Sequence, residues 1–108
     1  MKLVIAIVQD ADVEFLMEEL VANSFRVTKL SSSGGFLKSG NTTFMVGVED
    51  EDLDDCLDII ESNCSSRSTT TSMMNVTNPA EAHTRVPIEI QIGGATVFVL
   101  NVEEFLKI

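Results

Sequence analysis

The chain has 108 residues, 44% of them hydrophobic, with seven Lys or Arg against seventeen Asp or Glu and a formal charge of −10. That length suits one core, and a single domain over 1–108 is expected. The charge excludes wrapping a nucleic acid polymer, which needs clustered basic side chains, and it disfavours anionic membranes, so an anionic ligand must be held by local donors.

The apolar run Leu3–Val8 meets Gln9-Asp10 with no small-residue cleavage site, so it does not read as a signal peptide. No stretch approaches the roughly 20 apolar residues of a membrane span. A cytoplasmic protein without membrane insertion is expected. Cys56 and Cys64 fall on one predicted helix, roughly 12 Å apart, too far for a disulfide, and read as buried or half-buried thiols.

In chain order, Leu3–Val8 is short, branched and apolar throughout, which predicts a strand buried on both faces. Val13, Leu16, Met17, Leu20 and Val21 then recur at helical spacing, with Asp12, Glu14, Glu18 and Glu19 mostly opposite and Asp10 as the cap. Phe25–Leu30 alternates, placing Phe25 and Val27 on one face and Arg26, Thr28 and Leu30 on the other. Asn41–Val48 alternates again, Phe44, Val46 and Val48 against Thr43, Met45 and Gly47. These two strands form a hairpin across the short connection 31–40.

Leu53, Cys56, Leu57, Ile60 and Cys64 share one face of a second helix, from about Asp50 to Cys64. Its acidic start, Glu49-Asp50-Glu51-Asp52, lacks the glycine and ligand spacing of a calcium loop and is favoured by the helix dipole, so no metal site is expected. Residues 65–86 are polar and rich in Ser, Thr and Asn, and are expected to form a long loop. Within it, Arg67, Met73 and Met74 are candidates for touching a ligand or partner. His83, the single histidine, has no neighbouring nucleophile motif and reads as an exposed loop side chain.

Ile88, Ile90 and Ile92 alternate, Gly93-Gly94 breaks the run, and Ala95–Leu100 is apolar throughout, giving two more strands before a short terminal turn. The order βαββαβ with an extra strand is an α+β, ferredoxin-like sandwich with both helices on one face of an antiparallel sheet. Two helices cover one face only. The first and last strands are apolar on both, so a homo-oligomer is expected to bury the other.

Ser31–Thr43 concentrates the chemistry. Gly34 and Gly35 allow successive N–H groups to face an anion, Phe36 offers a ring for stacking on a base, and Asn41, Thr42, Thr43 and Thr28 supply neutral donors and acceptors. Arg26 adds a charge for phosphate. Ordinary hairpin loops use the same residue types, and neither a Walker A nor a GxGxxG pattern is present, so the residues alone leave both readings open.

The stretches Ile5-Ala6-Ile7-Val8-Gln9-Asp10, Phe25-Arg26-Val27-Thr28-Lys29-Leu30, Gly34-Gly35-Phe36-Leu37, Gly40-Asn41-Thr42-Thr43-Phe44 and Gly93-Gly94-Ala95-Thr96-Val97-Phe98-Val99-Leu100 carry a resemblance. Over essentially its whole length the chain resembles the PII-like cyclic di-AMP receptor family. The resemblance implies a non-enzymatic, ferredoxin-like homotrimer that binds cyclic di-AMP between neighbouring subunits, needs no cofactor beyond that ligand and signals to a downstream protein. Carried across by position, Gly35, Phe36 and Leu37 would hold phosphate and one adenine, with Phe36 at the ring face. Arg26, Thr28, Asn41 and Gly47 would contact a base or the sugar-phosphate ring, Gly47 through its backbone and the room it leaves. Gly94 joins them on the strength of the Gly93-Gly94 break.

Two rivals fit less well. Acylphosphatases place an arginine in the loop after the first strand, where this chain has Gln9-Asp10. Classical PII regulators, which bind ATP, carry their long loop between the second and third strands, whereas here that connection is the short one. The loop 65–86 is expected to change its order when ligand binds.

Overall fold

Alternating strands and two amphipathic helices sort their apolar side chains onto a shared layer. The computed structural model describes residues 1–32, 40–74 and 85–108, with side chains over 1–30, 40–68 and 89–108. The elements are β1 (Lys2–Gln9), α1 (Asp10–Ala22), β2 (Val27–Ser32), β3 (Asn41–Val48), α2 (Leu53–Cys64, after a 3-10 turn at Asp50–Asp52), β4 (Arg67–Met74), β5 (Arg85–Ile92) and β6 (Ala95–Asn101). Four strands form one antiparallel sheet in the order β2-β3-β1-β6, and β4-β5 form a separate two-stranded sheet. With both helices packed on one face, the larger sheet has the strand order of a ferredoxin-like sandwich.

The core lies between that sheet and the helices. Val4, Ala6 and Val8 of β1 and Phe44, Val46 and Val48 of β3 are buried against Leu16 and Leu20 of α1 and Cys56, Ile59, Ile60 and Cys64 of α2. This is the alternation expected of β3, and α2 buries Ile59 beyond the expected set. Both thiols are free and buried, and burial pushes each up to about 11, so both are neutral at physiological pH.

Several expectations change. Leu3, Ile5 and Ile7 of β1 are only half-buried, because the helices cover one face and this chain supplies nothing for the other. Gln9, not Asp10, takes the N-cap position of α1, with no side-chain capping bond. The Asp10 carboxylate instead accepts the Thr42 hydroxyl at 2.8 Å. Val21 is exposed while Asp12 is buried. Asp12 precedes Leu16 by four residues and Leu20 by eight, so the inward stripe of the helix runs through it.

The largest change concerns 65–86. Arg67–Met74 pairs antiparallel with Arg85–Ile92, from Arg67 opposite Ile92 to Met74 opposite Arg85, so paired strand replaces the expected loop at 67–74 and 85–86, while 75–84 lie outside the described residues. Three consecutive threonines, Thr69-Thr70-Thr71, are β-branched and favour extended backbone despite their polarity. The strand before Gly93-Gly94 therefore belongs to this hairpin, and β6 alone completes the larger sheet. Gly93 (φ +81°) and Gly94 (φ +94°) make the turn between them in a conformation that side chains resist. The molecule measures 67 × 24 × 18 Å with a radius of gyration of 18.5 Å, where a compact chain of this length has about 13 Å. The hairpin stands away from the sandwich.

A lone hairpin is marginally stable, so its base needs fixing. Arg67 Nη2 donates to Asp12 Oδ1 at 2.6 Å, and Arg67 Nη1 donates to the Ser65 carbonyl at 3.1 Å. The Gly93 N–H donates to Gln9 Oε1 at 2.7 Å, and the Gly94 N–H to the Cys64 carbonyl at 2.5 Å. Arg67, a candidate ligand contact by sequence, thus compensates the buried carboxylate of Asp12. The side chains of Met73 and Met74 and the whole of His83 lie outside the described residues.

Candidate functional site

The face of the sheet away from the helices carries the candidate residues. Directly paired residues share a face, so the register sets its rows: Thr28, Met45, Ile5 and Phe98 in one, Leu30, Thr43, Ile7 and Thr96 in the next, and Gly47, Leu3 and Leu100 at the other end. Arg26, two residues before Thr28, has the same parity. The expected grouping of Arg26, Thr28, Thr43 and Gly47 on the outer face matches this register.

Arg26, Thr28 and Gly47 line one cavity of about 730 Å³, walled by Leu3, Met45 and Phe105. Lys107 also lines it, and no carboxylate side chain does. Thirteen of the seventeen acidic residues sit elsewhere, five on α1 and eight between Glu49 and Glu61. Arg26 and Gly47 also line a neighbouring cavity of about 430 Å³ with Glu49, Asp52 and Asp55, so the acidic start of α2 adjoins the cation-edged cavity without entering it. Among the described residues, Arg26 forms no ion pair, since the two ion pairs there join the N-terminal amine to Asp50 and Arg67 to Asp12.

Gly47 has a further property. A Cβ built there would meet nothing within 4 Å, so this chain's own packing does not demand glycine. Glycine inside a strand costs about 0.5–1 kcal/mol relative to Ala. The open space faces the cavity.

Asn41 sits at the far end of β3, six residues from Gly47 and so roughly 20 Å away at about 3.3 Å per residue. The first residue of α1 grips its surroundings. The Asp10 N–H donates to the Gly40 carbonyl at 2.8 Å, and Thr42 Oγ1 donates to Asp10 Oδ1 at 2.8 Å. Gly40 has φ +32°, and a Cβ there would lie 2.6 Å from Asp10 Oδ2, so the turn into Asn41 admits only glycine without rearrangement. Gly94 lines a second cavity of about 390 Å³ with Cys64, Ser66 and Ala95. The structure therefore brings Arg26, Thr28 and Gly47 together, sets Asn41 at the opposite end, and puts Gly94 in a different cavity. Gly35, Phe36 and Leu37 lie outside the described residues.

Sequence reasoning missed Phe105 and Lys107. Their signal is faint: an apolar pair, Phe105-Leu106, inside a charged tail that reads as a terminal turn. Among the described residues, no group of three His, Cys, Asp or Glu is placed to hold a metal ion, and no helix is long and apolar enough to cross a membrane.

All 108 residues, 1–108, match the family described as cyclic-di-AMP receptor. The chain belongs to the cyclic-di-AMP receptor family. The family's description is one of binding, which agrees with a site built from a cation, a hydroxyl and an open glycine on an apolar floor. The receptor is also similar to a functionally unknown protein from Pediococcus pentosaceus ATCC 25745, whose crystal structure matches at 44% identity, covering 99% of this chain and 96% of that chain, with a TM-score of 0.79.

Proposed function

We propose that this receptor is a cytoplasmic, PII-like homotrimer that binds cyclic di-AMP in the clefts between neighbouring subunits and signals to a protein partner without catalysing a reaction. The observation that carries the reading is the cavity at Arg26, Thr28 and Gly47, edged by cations and by no carboxylate side chain in a chain of charge −10. Such a site attracts an anion locally while the rest of the surface repels it.

Two features support a site shared between chains. Beside the half-buried Leu3, Ile5 and Ile7, the outer face leaves Phe98 43% and Leu100 45% exposed, an apolar surface that a second copy would cover. Arg26 and Asn41 stand at opposite ends of that face, so one ligand touches both kinds of group most readily where one subunit's Arg26 end meets another's Asn41 end. In this arrangement Arg26 pairs with a phosphate, Thr28 and Asn41 bond base or ribose, and Gly47 leaves room for the ring. Gly35, Phe36 and Leu37 take phosphate and an adenine as the family resemblance implies, and Gly94 contributes backbone. A ligand bridging subunits also biases how their elements sit, and the β4-β5 hairpin, which joins the sandwich through contacts at its base, is the element expected to report it.

The test is a calorimetric titration of the assembled protein with cyclic di-AMP, ATP and cyclic di-GMP side by side. Cyclic di-AMP is expected to bind one molecule per chain and more tightly than the other two. Equal or tighter ATP binding would overturn the ligand assignment.

A further inference from the structure

The chain beyond β6 returns to the outer face. The Val102 N–H donates to the Met1 carbonyl at 3.2 Å, and the Lys2 side chain donates to that of Asn101, so the end of β6 is tied to the start of β1. Past this tie, Phe105 and Lys107 line the same cavity as Arg26, whereas Glu103, Glu104 and Leu106 do not. Phe105 is 60% exposed and stands outside the buried core. Among the described residues, Lys107 forms no ion pair, although Glu103 and Glu104 stand four and three positions before it.

We propose that this C-terminal segment is part of the nucleotide site, with Phe105 stacking on a base and Lys107 neutralising a phosphate; this rests on the cyclic di-AMP reading above. The ligand's chemistry comes in pairs. A cyclic dinucleotide carries two phosphodiesters and two bases, so Arg26 alone leaves one negative charge uncompensated in a strongly acidic chain. Lys107 supplies the second cation, a flexible ammonium acting as a point charge on the second phosphodiester. Phe105 supplies a ring for one of the two bases. Base–aromatic stacking contributes about 1–3 kcal/mol per base, so each residue has a measurable effect.

The experiment titrates cyclic di-AMP into the full-length wild type, Lys107→Gln, Lys107→Arg, Phe105→Ala and Phe105→Tyr at several salt concentrations. Lys107→Gln is expected to weaken binding about tenfold and flatten its salt dependence, while Lys107→Arg stays near wild type. Phe105→Ala is expected to weaken binding about tenfold with little change in salt dependence, and Phe105→Tyr to retain it. Melting temperature and oligomeric size are expected to stay unchanged in all four, which separates ligand contact from a structural role. Wild-type binding, with Lys107→Gln and Phe105→Ala each within about twofold of it, would overturn this inference alone. Failure of the wild type to bind cyclic di-AMP would overturn both this and the receptor reading.

Discussion

Replacing Arg26 by Ala is expected to weaken cyclic di-AMP binding about a hundredfold and to leave the melting temperature essentially unchanged. The binding loss follows from chemistry. A hydrogen bond to a charged group contributes about 1.5–3 kcal/mol, and the cavity holds no other arginine to take its place. The unchanged stability follows from geometry: Arg26 is exposed and forms no ion pair among the described residues, so its removal leaves no buried partner behind. Arg26→Lys is expected to recover only part of the loss, because an ammonium does not reproduce the planar two-donor grip on a phosphate. Calorimetry for affinity and a thermal melt for stability check the two halves separately.

Gly47→Val is expected to move stability and binding in opposite directions. The new Cβ meets nothing within 4 Å, and a β-branched residue suits the middle of a strand, so the folded chain is expected to gain about 0.5–1 kcal/mol. The same methyl groups project into the cavity that Arg26 and Thr28 line, and are expected to lower cyclic di-AMP affinity about a hundredfold or more. A variant more stable to denaturant yet unable to bind identifies a glycine kept for its ligand. Stability and affinity falling together would mark it as a packing residue instead.

What the sequence revealed and what it hid divide along the range of the interactions involved. The period of two in β3 is local, so the split between Phe44, Val46 and Val48 inside and Thr43, Met45 and Gly47 outside needed no tertiary information. Arg26 and Thr28 joined Gly47 by the same rule applied to β2. The partner of Arg67–Met74, by contrast, lies at Arg85–Ile92, and three threonines with no inside and outside gave no pattern from which to infer a strand. Asp12 read as a solvent residue because its partner, Arg67, stands 55 positions away. Phe105 and Lys107 reach the cavity only through the path of the chain beyond β6, which no local pattern announces. For Gly35, Phe36 and Leu37 the roles come from family resemblance, with the glycine and ring chemistry of the segment alone being common to ordinary loops.

Under the proposed function, one chain alone does not complete the site. Arg26 and Asn41 lie at opposite ends of the outer face, and their union around one ligand calls for a neighbouring subunit. The most direct measurement co-expresses Arg26→Ala chains with Asn41→Ala chains under different tags, isolates mixed assemblies and titrates them with cyclic di-AMP. In a cyclic trimer, every mixed assembly contains one interface where an intact Arg26 end meets an intact Asn41 end, so about a third of the sites should bind with wild-type affinity although neither variant does so alone. Mixed assemblies with no wild-type site would contradict a site shared between subunits and place both residues around a ligand held by a single chain.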